Sequence, residues 1–228
     1  MKKTAFILAA CMLSSLGFAA KKPKAPVMKT EIDTVSYAIG VAVGRDFSKQ
    51  LNQLMDGQQN TELILQGFQA SLRGTDAAIT GATADSLVQN YVQANQAQRE
   101  QKYIDDNKKF LTENAKKQGI VSLPSGLQYE VIIPSDGAHP ADTSIVKVHY
   151  EGKLIDGTVF DSSIQRGEAI EFPLNRVIPG WTEGVQHMTV GSTYKLYIPA
   201  ELGYGAQPMG NIPPNSTLIF DVQLLEIK

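Results

Sequence analysis

The run from Val146 to Ser163 reads Val-Lys-Val-His-Tyr-Glu-Gly-Lys-Leu-Ile-Asp-Gly-Thr-Val-Phe-Asp-Ser-Ser and sets an aromatic ring, Phe160, beside a carboxylate, Asp161. Val146, Val148 and Tyr150 alternate along its first half, and Asp156-Gly157 suits a type I′ hairpin turn. On a regular strand Phe160 and Asp161 point to opposite sides unless the strand bends. More aromatic and aliphatic residues follow at Val177-Ile178-Pro179-Gly180-Trp181, Leu202-Gly203-Tyr204-Gly205, Ile212-Pro213-Pro214-Asn215 and Leu218-Ile219-Phe220-Asp221-Val222. Nothing here is built for covalent or metal chemistry. His139, His149 and His187 lack metal-ligand spacing, and no cysteine is available to join them. His149 falls on the opposite face from Val148 and Tyr150, a surface or cross-strand position. No Ser-His-Asp arrangement has support, and Gly40 and Gly44 follow no strand, so no phosphate loop exists. The inventory suits non-covalent work in an apolar cavity with a few hydrogen-bond donors, no cofactor and no metal. Taken singly, each Trp or Phe is more often ordinary core. Only their ordered succession argues otherwise.

With Glu183-Gly184-Val185 and Met188-Thr189-Val190-Gly191 added, that ordered set resembles the FKBP-type peptidyl-prolyl cis-trans isomerases over roughly the last half of the chain. The resemblance implies an α+β fold, an FKBP-like twisted antiparallel half-barrel sheet around one short helix. It implies a pocket made of Tyr150, Phe160, Val177, Ile178, Trp181, Tyr204 and Phe220, completed by Ile170 and Ile212. Trp181 becomes the floor, while the Ile178 N–H and the Tyr204 hydroxyl hold substrate carbonyls. Asp161 sits at the pocket edge, oriented by Tyr150 and Arg166. Phe172, Leu196, Ile198, Val222 and Leu224 are read as core. Macrolide inhibitors are the ligands the resemblance adds.

Such an enzyme needs no nucleophile. Rotation about a peptide bond meets a barrier of about 18–20 kcal/mol from its partial double-bond character. The two X-Pro isomers differ by only about 1 kcal/mol, yet exchange in tens to hundreds of seconds. A water-poor pocket penalises the charge-separated planar amide more than the twisted one, and hydrogen bonds placed for the twisted form add to the difference. Two departures from the family pattern, the loop Gln207-Pro208-Met209-Gly210-Asn211 and Arg176 before Val177, bear on which residue is preferred before proline.

Residues 1–20 start with Lys2 and Lys3, continue as a mainly apolar stretch from Ala5 to Leu16, and close on Gly17-Phe18-Ala19-Ala20. This is the layout of a secretory signal peptide ending at residue 19, so an exported, periplasmic protein is expected. A second reading stays open, in which Leu8-Ala9-Ala10-Cys11 is a lipoprotein signal and Cys11 becomes a lipidated anchor. Cys11 is the single cysteine, so no disulfide forms within one chain. No later stretch is long and apolar enough to span a membrane. A formal charge of −2 without a basic patch argues against nucleic acid.

Residues 20–30 read as a linker and 31–118 as an all-α dimerisation domain. Asp33 or Thr34 caps a first helix with Val35, Ala38, Ile39, Ala42, Val43, Phe47, Leu51 and Leu54 at steps of three and four. Gly40 and Gly44, one turn apart, suit close approach of another helix. A second helix covers 61–72. A third, the stalk, runs from about 83 to 118 and is polar through its middle, as expected of a helix crossing solvent. The isomerase domain takes 119–228, with strands near 127–133, 144–154, 158–162, 169–173, 192–198 and 217–227 and a short helix at 179–186. The helical half resembles that of Mip-like and FkpA-like periplasmic FKBPs, where such helices interlock two chains, so a homodimer is expected. The implied function is an envelope prolyl isomerase acting on proline-containing unfolded or exported proteins. The alternatives are a holdase whose helical arms bind clients with little or no isomerase activity, and a purely structural envelope dimer.

Overall fold

The computed structural model describes residues 25–228. The signal peptide and Cys11 expectations lie outside the described residues. The chain divides into two compact units, one ending at Ala77 and one from Ala78 to Lys228.

The first unit holds α1 (Glu31–Met55) and α2 (Thr61–Arg73). The cap of α1 is Thr30, upstream of the expected Asp33 or Thr34. Its hydroxyl accepts the Asp33 N–H at 3.1 Å while the Asp33 carboxylate accepts the Thr30 N–H at 2.9 Å. This reciprocal capping box satisfies two donors where Asp33 alone would satisfy one. The helix stops at Asp56 and Gly57, both at positive φ. Asn60 caps α2 and Gly74 closes it in the left-handed conformation. Neither helix buries a single residue. Ile39 is 59% exposed and Phe47 42%, and a methyl group at Gly40 or Gly44 would meet nothing within 4 Å.

The second unit opens with α3 (Gly81–Asn114), capped by Thr80. It begins two residues earlier than the sequence suggests and ends four earlier. After Asn114 the bonding tightens to three-residue spacing, Lys116 N–H to Glu113 O and Lys117 N–H to Asn114 O, and Gly119 then turns the chain at φ 88°. The last third of α3 is held against the sheet. Asn107 and Asn114 are its sole buried residues. Asn107 Oδ1 accepts the Thr217 N–H at 2.7 Å, Tyr103 Oη meets Ser216 Oγ at 2.8 Å, and Gln128 Nε2 donates to Leu111 O at 2.9 Å. Phe110 adds an apolar contact, its ring 6.1 Å from that of Tyr197.

The sheet has seven antiparallel strands: β1 (Ile120–Ser122), β2 (Gln128–Ile133), β3 (Ile145–Lys153), β4 (Val159–Ser162), β5 (Ile170–Pro173), β6 (Thr193–Ile198) and β7 (Leu218–Ile227). Their order is β1-β2-β6-β7-β3-β4, with β5 paired to β3. The short edge strand β1 carries too little pattern to be read from sequence. Alternation does the folding elsewhere. Val146, Val148, Tyr150 and Gly152 of β3 and Leu218, Phe220, Val222 and Leu224 of β7 turn to the core. The opposite face carries a ladder of charges, with Lys153 at 2.7 Å from Glu151 and Lys195 at 3.3 Å from Asp221.

Helix α5 (Pro179–Gln186) covers the core face. Gly180 and Gly184 let it lie directly on β6. A methyl group at Gly180 would stand 2.4 Å from Ile198 Cγ2, and one at Gly184 2.9 Å from Leu196 Cδ1. The β3–β4 hairpin differs from expectation. Gly157 alone has positive φ, Leu154 O accepts its N–H, and the Leu154 N–H donates to Thr158 O. This is a three-residue loop ending in a glycine bulge instead of a type I′ turn, because Asp156 spends its carboxylate on the Thr158 N–H at 2.8 Å.

The Asn107 contact yields a stability test. Thr217 is 2% exposed, so Asn107→Ala strands a buried N–H and costs about 1–3 kcal/mol in urea unfolding. Lys109→Ala, which removes an exposed pair to Glu113 at 3.8 Å, changes stability by less than about 0.5 kcal/mol. Equal effects of the two would mean that α3 is not held through Asn107.

Candidate active site

Between α5 and the strands β3, β4, β5 and β7 lies a cavity of about 920 Å³. Its floor is Trp181 at the start of α5, where Pro179 occupies the first helical position and presets the backbone. Four rings meet there edge to face. Trp181 stands 5.4 Å from Tyr150, 5.4 Å from Phe172 and 5.1 Å from Phe220, at interplanar angles of 89°, 68° and 84°. Phe160 continues the pattern, 5.5 Å from Phe220 at 86°. Each such edge-to-face pair adds about 0.5–1.5 kcal/mol beyond burial and favours this arrangement of the wall.

Every residue expected at the pocket lines this cavity except Arg166. Arg166 stands behind, on the short helix α4 (Ser163–Arg166), and reaches Asp161 and Tyr150 from there. Phe172 was expected in the core and instead forms part of the wall. The signal was its spacing from Ile170, two residues along β5 and therefore on the same face. Glu171, Arg176, Met209, Gly210 and Asn211 complete the rim.

A bulge explains how Phe160 and Asp161 both face the cavity. Gly152 pairs with Asp161, but Lys153 pairs with Val159, which leaves Phe160 as the extra residue. That extra residue bends β4 and cancels the alternation. Gly152 makes room for it, since a methyl group there would lie 2.6 Å from the Phe160 ring and 2.7 Å from that of Phe220.

Asp161 is held by two donors. The Tyr150 hydroxyl donates to Oδ2 and Arg166 Nη1 to Oδ1, while Arg166 Nη2 donates to Tyr150 Oη at 3.0 Å. Burial alone would raise the Asp161 pKa and is the largest single influence, but the two hydrogen bonds and the guanidinium charge outweigh it and hold it below the ordinary carboxylate value. Tyr150 is pushed up, first by burial and then by donating to a carboxylate. Behind them Ser163, fully buried, accepts the Tyr150 N–H at 2.8 Å and donates to Tyr150 O at 3.2 Å. His149 Nδ1 lies 3.1 Å from the same hydroxyl. Ser163 thereby ties α4, which carries Arg166, to the strand that carries Tyr150. Sequence reasoning missed this link, because a serine beside a helix start usually signals only a cap.

The two expected donors are open. The Ile178 N–H precedes α5 and donates to no group among the described residues, and the Tyr204 hydroxyl likewise has no partner there. An apolar cavity with two unengaged donors and one fixed carboxylate can bind and polarise an amide. It holds no nucleophile poised to attack one.

These protonation states predict a pH profile. Asp161 stays ionised and Tyr150 protonated from about pH 5 to 9, so kcat/KM for a Leu-Pro peptide is flat across that window. The stabilisation from Asp161 is present above the ordinary carboxylate pKa and is lost as pH falls through its lowered value. Arg166→Ala removes one lowering influence, so the acid-side loss of stability moves to higher pH. A shift the other way would contradict this account of Asp161.

Residues 136–225 match the family model described as FKBP-type peptidyl-prolyl cis-trans isomerase, and residues 32–131 match the domain amino terminal to it. The chain is 43% identical over 218 residues to the FKBP-type isomerase FkpA of Aeromonas hydrophila, covering 92% of this chain and 81% of that protein. It is 44% identical over 207 residues to the FKBP-type 22 kDa isomerase of Escherichia coli (strain K12), covering 89% of this chain and 98% of that protein. Among solved structures, FkpA from Escherichia coli superposes with a TM-score of 0.70 at 33% identity, over 89% of this chain and 99% of that one. With that similarity running along both halves, the chain belongs to the FKBP-type peptidyl-prolyl cis-trans isomerases.

Proposed function

We propose that the cavity of Tyr150, Phe160, Asp161, Ile178, Trp181, Tyr204 and Phe220 is the catalytic centre, with Ile170, Val177 and Ile212 contacting substrate and Arg166 holding Asp161. The proline ring rests on Trp181. The flanking carbonyls take the Ile178 N–H and the Tyr204 hydroxyl. Asp161 presents a fixed negative charge beside the amide and transfers no proton. Exclusion of water raises the planar amide relative to the twisted one, and the prepositioned donors favour the twisted geometry. The observation that carries this reading is the ring cluster facing two unengaged donors. In a peptide assay with a Leu-Pro or Phe-Pro bond, Phe160→Ala lowers kcat/KM by about tenfold or more, about 1.4 kcal/mol or more of transition-state binding. Retention of full activity by that variant would remove the cavity from the mechanism.

The finer setting belongs to the same proposal. Residues 31–118 form a dimerisation domain with its stalk, followed by the isomerase domain at 119–228. The protein works as a homodimer in the bacterial cell envelope on proline-containing exported proteins, with macrolides as fitting inhibitors. The apolar stripe of α1 supports a dimer, since Val35, Ile39, Val43 and Phe47 are exposed in one chain and the Gly40–Gly44 face is open. No helix among the described residues is long and apolar enough to cross a membrane. Sedimentation at micromolar concentration should give twice the chain mass, and Ile39→Glu should give single chains that still isomerise a short peptide. A monomeric wild type that protects aggregating clients through α1 and α2 would favour the holdase reading instead.

A further inference from the structure

Three charged residues line the cavity, Asp161, Glu171 and Arg176. Two are neutralised where they stand. Asp161 is held by Arg166, and Glu171 pairs with Lys228 at 2.6 Å and Lys147 at 3.7 Å. Arg176 has no ion pair and no side-chain hydrogen bond among the described residues. The facing part of the rim, Met209, Gly210 and Asn211, is uncharged. The cavity mouth therefore carries one uncompensated charge, and it is positive.

That charge stands on a fixed base. Arg176 ends the 3₁₀ turn Leu174–Arg176. Leu174 is fully buried, its N–H donates to Ser144 O at 2.9 Å, and its carbonyl accepts the Thr182 hydroxyl at 2.7 Å. Two residues further on is Ile178 with its open N–H. A substrate backbone bonded to Ile178 passes close to the Arg176 backbone, and a guanidinium on an exposed side chain reaches the residues next to the bound proline. An apolar wall on one side concentrates its field toward the ligand.

We propose that Arg176 is a specificity-determining residue that selects proline segments with an acidic side chain immediately before or after the proline. The inference rests on reading the cavity as the proline site. It names acidic, proline-containing stretches as the favoured substrate class.

The test uses the full chain and short peptides that differ only in Glu, Gln or Lys beside the proline, placed first before it and then after it. Trp181 is the single tryptophan and forms the cavity floor, so its fluorescence reports Kd without any need for turnover. At low ionic strength the Glu peptide at one of the two positions binds about three- to fivefold more tightly than its Gln twin, the range of an exposed ion pair. The ratio falls toward one near 0.5 M salt as screening shortens to a few ångströms. It vanishes in Arg176→Gln, survives in Arg176→Lys, and turns in favour of the Lys peptide in Arg176→Glu. A ratio of one in the wild type at both positions, or a ratio unchanged in Arg176→Gln, overturns the proposal. Isomerisation rates on the same peptides separate it from the isomerase reading. Catalysis of the Gln peptide with no Glu preference sinks the role of Arg176 alone, whereas a Glu preference in Kd without catalysis leaves that role standing and sinks the assignment of the catalytic cavity.

Discussion

Helix α5 lies so close to β6 that side chains at Gly180 and Gly184 would collide with Ile198 and Leu196, and the active site follows from that contact. A helix on a sheet normally stands off by the depth of its side chains. Two glycines one turn apart remove that depth on one face, and the neighbouring Trp181 drops between Tyr150, Phe172 and Phe220. The same contact fixes the approach to the helix. Ile178 precedes it, and its N–H finds no acceptor among the described residues and stays open to the cavity, while Thr182 pins the preceding 3₁₀ turn through Leu174 O.

Around this apolar floor the polar groups are few and restrained. Asp161 is locked by Tyr150 and Arg166, and Ser163 fixes the spacing of the elements that carry those partners. A carboxylate bound this way is a fixed charge and a poor proton carrier at neutral pH, since its pKa lies far from the working range. The site is therefore suited to shifting the relative energies of two amide geometries, which needs rigidity and dryness, and is unsuited to bond cleavage, which needs a mobile proton. The bulge at Phe160 serves the same end by setting a ring and a charge on one wall.

The two compact units rely on different forces. The sheet unit buries its own core, and the last third of α3 is fastened to it by side-chain amides that reach buried backbone groups. The helices α1 and α2 are well capped yet bury nothing within one chain. Caps define where a helix begins and ends, but stability in water comes from packing an apolar face. Among the described residues of one chain, those helices leave that face largely exposed.

Much of this was legible in the residues. A period of two located the central strands near 144–154 and 217–227, and a proline near its first turn located the helix at 179–186, because periodicity records which face meets the core. The ordered aromatic motifs named the pocket residues. Other features were not legible because they depend on residues far apart in the chain. Phe172 looked like core until the ring of Trp181 stood against it. Phe160 and Asp161 looked opposed until a register shift against Gly152 and Lys153 turned them together. The tie from Ser163 to the Tyr150 backbone joins two separate elements, and the unpaired state of Arg176 shows only once every other charge on the rim has found its partner. Sequence by itself determined the family, most of the elements and most of the wall, since these rest on local pattern and ordered motifs. Tertiary structure decided which side chains share a face, which donors stay open and which charge is left uncompensated, since each is a property of contacts between distant segments.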